Sequence, residues 1–517
     1  MKFLFAYVLL FLALTVGQVW LAHERGATNI DGTTYALLDD DIVISHTYAH
    51  QLVEGRGLVL NEGDRVEGFS NPAWLLLAMV PSELAGVSIQ HLGWFIWTLN
   101  AMLAALITIL LLLLPSWMEG KGWRPTVAGG SMALLFATFG THAFYSWAGY
   151  SVYLQGLLLL VITVTIRRGG WAFYGAMALY PLVHAMVLPI WGTLGLVRLF
   201  LTRKDGWRPV FLIAATALPL AFYVVFRLWY YGDILPNTYY LKSGGIADWD
   251  RGITYLVENG QWIAPTLLLV LFGMVKAWGM AWPLLVGTAL YFIVLTKVGG
   301  DHFPGGRFIL PVLPAYMVVA AVGLSRLART RFTEYAVATI VAAQLLVSVY
   351  SHIDVWPRWM RSATAYHVEH IRLGEDIVER TKSLDDEVRV ALFSLGYTSY
   401  VLKTAEGHVR YPVVDMLGKA DLHIARTSPK QWRRVAHQKS DPDYVLTQRQ
   451  PHFIECPVSP ELLDDLDALH RHEHTEAGYT SELARQESFV STFEHVGYDV
   501  SSFLYRRQAD RVARAAP

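Results

Sequence analysis

The sequence predicts an all-α, multi-span transmembrane bundle of about 11 spans, carrying a small C-terminal extracytoplasmic α/β domain. Three observations predict it. Of the 517 residues, 54% are hydrophobic and only 16% charged, where soluble chains carry about a quarter charged residues. Eighteen Trp and 26 Tyr suit aromatic belts at two membrane interfaces. From about residue 351 to 517 the chain turns abruptly polar and charged.

The N-terminus reads Met1-Lys2 and then about 20 apolar residues from Phe3 to Ala22. That is long enough to span, longer than a typical signal-peptide core, and without a clear small-x-small cleavage site. A retained signal anchor is expected. Hydrophobic runs follow at 72–87, 90–114, 125–146, 151–166, 171–183, 185–201, 209–230, 262–275, 279–297, 309–325 and 333–350. Positive charge orders them. Lys2, Lys121/Arg124, Arg167/Arg168, Arg203/Lys204/Arg208, Lys276 and Arg326/Arg329/Arg331 form six basic clusters. Cytoplasmic loops collect such residues. All six fall on one side only if Pro72–Val87 does not cross. That run is short and interrupted by Pro81, Ser82 and Glu83, so it reads as an interfacial or re-entrant helix.

Eleven spans remain, in the plasma (inner) membrane, with the N-terminus cytoplasmic and everything after Tyr350 outside. The transmembrane unit is 1–350, with interfacial helices in an outer loop at 23–89. The extracytoplasmic unit is 351–517. The 23–89 loop holds ten acidic residues against three basic. In the tail, "EVRVALFS" (387–394) and "VRYPVVDM" (409–416) read as strands. "HVEHIRLGEDIVERTKSL" (367–384) reads as an amphipathic helix. The single cysteine, Cys456, excludes an intrachain disulfide.

Four outer stretches concentrate chemistry. Asp39–Asp41 precede a helix on which His46 and His50 share a face. "RVEGFSNPAW" (65–74) offers Glu67, Asn71 and Trp74. "YYGDILPNTYYLKSGG" (230–245) offers Tyr231, Asn237, Tyr240 and Lys242. "GGDHFPGGRFILP" (299–311) holds Asp301, His302 and Arg307 among four glycines. Each has a plainer reading. Aspartates cap helix starts, tyrosines form interface belts, and Lys or Arg snorkels to headgroups. The His46/His50 spacing suits a metal, but no third ligand stands out. Together, however, carboxylates beside an Arg and a Lys can remove a hydroxyl proton and hold a phosphate. No nucleotide-type phosphate loop is present, so an activated donor outside the membrane would be lipid-linked.

These motifs resemble the GT-C superfamily of polyprenyl-phosphate-sugar-dependent glycosyltransferases. The nearest branch is that of the terminal arabinofuranosyltransferases of cell-wall arabinan. "DDIVISHTYAHQLVEGRGLVLNEGDRVEGFSNPAW" (40–74) looks like its first outer loop. "YYGDILPNTYYLK" (230–242), "GGDHFPGGRFILPVLP" (299–314) and "DMLGKADLHIAR" (415–426) look like further signatures. The chain departs at "GYSV" (149–152), where relatives often carry Gly-Leu-Glu-Thr, and at Thr47, where they usually have Arg.

The resemblance implies transfer of a sugar, such as arabinofuranose, from a polyprenyl phosphate to a hydroxyl of an extracytoplasmic glycan or glycolipid, usually with inversion. Asp40 or Asp41 is the expected general base. Arg307 and Lys242 are expected on the donor phosphate. Tyr48, Glu67, Asn71, Trp74, Tyr231, Asn237, Tyr240, Asp301 and His302 are expected to bind substrate. No cofactor is required, because a monophosphate leaving group carries less charge than a diphosphate. Asp40 and Asp41 could still take Mg²⁺ or Ca²⁺. Membrane lipids are the expected surroundings, and nucleic acid is not an expected partner. Two other classes compete: a non-catalytic envelope assembly factor with this fold, and a lipid-linked sugar transporter. The transporter is disfavoured because ionisable residues deep in the spans are rare.

Overall fold

The computed structural model describes residues 2–242, 248–301, 303–327, 330–429, 438–456, 486, 489, 493–497 and 503–507. His302 lies outside them. Six helices are long and apolar enough to cross a membrane, or seven if the bent pair Val127–Thr138 and Gly140–Ala148 is one span. Shorter apolar helices stand among them, at Val152–Thr165, Trp171–Val183, Ala185–Leu201 and Leu313–Ser325. The outer surface of Arg208–Tyr230 leaves Phe222, Val225 and Trp229 exposed. Such a face is stable against lipid rather than water.

Helix α1 (Lys2–Gly26) ends at a short hairpin, β1 (Thr28–Ile30) and β2 (Thr33–Tyr35), and leads into α2 (Asp40–Val53). The run at 72–87 forms Pro72–Leu84, interrupted by a π-helical turn at Leu75–Met79. Its length of about 20 Å puts it with the other shorter apolar helices.

The last membrane helix does not stop where the composition changes. Arg331–Tyr350 continues through a π-helical turn (Ser351–Val355) into Trp356–Thr381. A helical rod, not a flexible linker, thus joins the two units. Beyond it lies a sheet of order β4-β3-β5-β7-β6, with strands β3 (Val390–Leu392), β4 (Val413–Asp415), β5 (Phe453–Cys456), β6 (Phe493–Gly497) and β7 (Phe503–Arg507). β3 is parallel to β4 and β5, while β7 is antiparallel to β5 and β6. Helix Tyr397–Thr404 fills the β3–β4 crossover. The two strands expected from sequence are present but short, and the amphipathic helix begins earlier than expected, at Trp356.

The 23–89 loop is held between the bundle and this sheet. The Leu38 N–H donates to the Tyr397 hydroxyl at 2.8 Å. Asn61 exchanges two hydrogen bonds with the Val413 backbone, at 2.9 and 2.8 Å. The Thr364 hydroxyl donates to the Gly26 carbonyl at 2.9 Å.

Candidate active site

The start of α2 separates its three aspartates. Asp39 has extended backbone angles and caps α2, accepting the Asp41 N–H at 3.1 Å. It is buried and also accepts the Tyr150 hydroxyl at 2.7 Å. Burial, with the neighbouring Asp41 charge, pushes its pKa up to about 7. Asp40 turns to the C-terminal unit. Its two oxygens accept the N–H groups of Gly396 (3.0 Å) and Tyr397 (2.9 Å), capping Tyr397–Thr404. A Cβ at Gly396 would lie 2.2 Å from the Asp40 carbonyl oxygen, so this contact requires glycine. Asp41 lines a cleft, with the Lys419 ammonium on its Oδ1.

That cleft encloses about 760 Å³ of empty space, its open mouth included. Arg307 and Lys242 line it together with Asp41. Arg307 is buried and donates to Asp301 at 2.7 Å. Its guanidinium lies 4.6 Å from the Tyr150 ring centre and 4.9 Å from that of Phe308. Such ring contacts fix its plane. Uncharged polar groups line the same space. The Ser45 hydroxyl donates to Asn71 Oδ1 at 3.2 Å, and Gln155 Nε2 donates to Ser151 Oγ at 2.9 Å.

Several residues expected to bind substrate build the walls instead. Glu67 is buried in an ion pair with Arg227 at 2.7 Å and accepts the Tyr223 hydroxyl at 2.7 Å. The Tyr48 hydroxyl donates to the Val66 carbonyl and accepts the Gly68 N–H. Trp74 and Tyr231 donate to the carbonyls of Gly149 and Leu58. Tyr240 donates to Asp233 at 2.8 Å. Asn237 Nδ2 is 2.9–3.2 Å from the carbonyls of Gly418, Lys419 and Asp421. None of these six lines the cleft. Asp301 acts on the site through Arg307. Of the expected substrate-binding set, Asn71 faces the cleft.

His46 and His50 bracket a carboxylate. Each Nδ1 lies 3.1 Å from a Glu83 oxygen, and the Tyr400 hydroxyl donates to Glu83 at 2.9 Å. Burial alone would raise the Glu83 pKa, but the hydrogen bonds from His46 and His50 hold it at about 2. Among the described residues no group of three or more His, Cys, Asp or Glu is placed to hold a metal. Of the pair expected to be able to take Mg²⁺ or Ca²⁺, Asp40 accepts two backbone N–H groups and Asp41 contacts the Lys419 ammonium.

No family model matches the chain. It is 28% identical over 342 residues to the terminal beta-(1->2)-arabinofuranosyltransferase of Corynebacterium glutamicum, covering 56% of this chain and 48% of that protein. It is 26% identical over 267 residues to the Mycobacterium tuberculosis protein of the same name, covering 46% and 40%. The chain thus spans about half the length of the curated relatives it matches, or less. Among solved structures, ArnT from Cupriavidus metallidurans in the apo state superposes with a TM-score of 0.56 over 97% of both chains, at 13% identity. The fold is that of ArnT. The same protein bound to undecaprenyl phosphate gives a TM-score of 0.54, covering 97% of this chain and 98% of that one, again at 13% identity. The expected resemblance to GT-C, arabinofuranosyltransferase-like proteins is met in both sequence and fold.

Within this ArnT-like frame, Lys419, Gln155, Ser151, Ser45 and His184 also line the cleft, and none is among the site residues expected from sequence. Lys419 lies inside the quoted motif "DMLGKADLHIAR". Ser151 lies inside "GYSV", where the departure from the relatives was visible. Ser45 lies inside the quoted stretch 40–74. Gln155 and His184 carry no comparable signal, because each sits in or beside an apolar helix and only the fold turns it toward the cleft.

Proposed function

We propose that the chain is a membrane glycosyltransferase. It moves a sugar, with a pentofuranose such as arabinofuranose the favoured class, from a polyprenyl-phosphate donor to a hydroxyl of an extracytoplasmic glycan or glycolipid. The observation that carries this reading is the joint placement of the Asp41 carboxylate and the Arg307 and Lys242 cations in one cleft. The names of the curated relatives support the sugar class. The undecaprenyl phosphate bound by ArnT supports the lipid carrier.

Asp41 takes the proton of the acceptor hydroxyl as its oxygen attacks the anomeric carbon. The new carbon–oxygen bond forms while the bond to the phosphate oxygen breaks. The electron pair leaves with the polyprenyl phosphate, and a single displacement inverts the anomeric centre. Arg307 and Lys242 stabilise the charge that grows on the phosphate. Tyr150 and Asp301 hold Arg307 at that position. Asp40 keeps the C-terminal unit docked, and Asn71 and Gln155 face the sugar. Counting the four shorter apolar helices as crossings gives eleven, and with the six basic clusters on the cytoplasmic side this count supports an outer position for the cleft.

The test is a transfer assay in nanodiscs with a panel of radiolabelled polyprenyl-phosphate sugars. The expected result is turnover with one donor, release of polyprenyl phosphate, and loss of both in Asp41→Asn. Folded protein that neither turns over any donor nor binds polyprenyl phosphate would favour the assembly-factor reading instead.

A further inference from the structure

The membrane bundle does not form the cleft alone. Lys419 reaches it from the loop after β4, in the C-terminal unit, and that loop is held at several points. Asp415 Oδ1 accepts the N–H groups of Leu417 (2.9 Å) and Gly418 (3.1 Å). Asn237, from the bundle's outer segment, donates to three carbonyls of the same loop. Gly418 sits at φ +82°, and a Cβ there would lie 2.8 Å from the Ala425 nitrogen. The backbone at 419 is therefore fixed while its side chain crosses to Asp41.

A general base must be ionised before it can accept a proton. Asp41 is poorly placed for that. Its side chain is only 25% exposed, and Asp39 and Asp40 precede it on the same helix. Among the described residues, the ionisable groups that also act on it include Tyr150, Arg307, Lys242 and His367. Arg307 is already engaged with Asp301. Neighbouring carboxylates disfavour each other's ionised form, and a cation in contact offsets that. Lys419 is a cation in direct contact with Asp41, and that pairing reinforces its own protonation.

We propose that Lys419 is a positioning residue, lent to the cleft by the C-terminal unit to keep Asp41 charged and aimed at the acceptor hydroxyl. The site is then complete only with that unit docked. This rests on Asp41 being the base of the reaction proposed above.

The test uses the full chain with Lys419→Met, Lys419→Arg and Asn237→Ser, measuring kcat/KM against pH. In Lys419→Met the acid limb moves up by a pH unit or more. Activity at pH 6.5 falls at least tenfold, and the deficit shrinks by pH 8.5 with donor KM little changed. Lys419→Arg restores the wild-type limb. Asn237→Ser leaves the lysine but unclamps its loop, so the limb moves the same way by less, even if the Met variant fails to fold. A loss equal at all pH values, or a raised donor KM with an unmoved limb, overturns the inference.

If wild type transfers nothing, the proposed function fails separately. Lys419 is then read by infrared titration of ¹³C-aspartate-labelled protein, in the carboxylate band that Asp41→Asn removes. That band titrates at higher pH in Lys419→Met if the inference holds. An unshifted band overturns it.

Discussion

Asp40 and Tyr397 lie 357 residues apart and meet at 2.9 Å, the carboxylate of one capping the helix that starts at the other. The adjacent Asp41 instead opens on the cleft, so the two aspartates predict opposite phenotypes. Asp40→Asn turns an N–H donor toward backbone N–H groups. It costs about 1–2 kcal/mol, the worth of a helix cap, and loosens the docking of the C-terminal unit. Asp41→Asn keeps the unfolding temperature near wild type and lowers turnover by about 10²- to 10⁴-fold. Thermal unfolding in detergent and the transfer assay measure the two effects. The reverse pattern would make Asp40 the base.

Arg307 is the cation best fixed for a leaving phosphate, since Asp301 and the Tyr150 and Phe308 rings hold its plane. Arg307→Ala is expected to cost about 2–4 kcal/mol of transition-state stabilisation. That is roughly 30- to 900-fold in kcat/KM. Arg307→Lys keeps the charge but loses the fork and the ring contacts, and should recover only part of the rate. Equal activity of the Ala variant would remove Arg307 from the phosphate site.

Much of this was legible in the sequence for a physical reason. Hydrophobic runs and helix-capping aspartates are local signals, so the helical bundle and the cap at Asp39 could be read one segment at a time. The division of labour among the three aspartates could not be read so. It depends on Gly396 and Lys419 arriving from more than 350 residues away. The partners of Glu67 are hidden from sequence for the same reason: Tyr223 and Arg227 lie on a helix far along the chain. A polar residue's type says that it needs a partner, and only the fold says whether that partner is protein or substrate.

The Glu67–Arg227 pair has side chains only 2% and 10% exposed. Removing one partner of a buried pair leaves an uncompensated charge and costs about 3–5 kcal/mol. Glu67→Ala and Arg227→Met should each destabilise by that order, while the double variant recovers a large part. Urea or thermal unfolding of the four proteins measures the coupling. Additive losses would contradict it.

Two carboxyls set opposite pH dependences. Asp39 has its folded pKa raised from 3.8 to about 7. The folded protein then holds more protons than the unfolded chain between those values, and stability falls as pH rises from about 4 to 7. Glu83 has its folded pKa lowered from 4.5 to about 2. Its contribution is present above pH 4.5 and is lost as pH falls through 2. Asp39→Asn should therefore flatten the upper slope, and Glu83→Gln the lower one. Stability measured against pH for the three proteins separates the two windows. A slope that survives its own substitution would assign it elsewhere.

Gln155 is 4% exposed, lines the cleft, and leaves Oε1 without a hydrogen-bond partner among the described residues while its Nε2 donates to Ser151. Turning the amide over only exchanges which polar atom faces the cleft. A buried polar atom left unsatisfied costs about 1–3 kcal/mol, and a bound sugar hydroxyl would relieve that cost. Sites built to bond a hydroxyl discriminate strongly against analogues lacking it. Wild type should thus reject one member of a series of deoxy-sugar donors. Gln155→Leu should lose about 10-fold or more in kcat/KM with the parent donor, little with that deoxy analogue, and so lose the discrimination itself. Discrimination unchanged in Gln155→Leu would mean that the sugar is read elsewhere in the cleft.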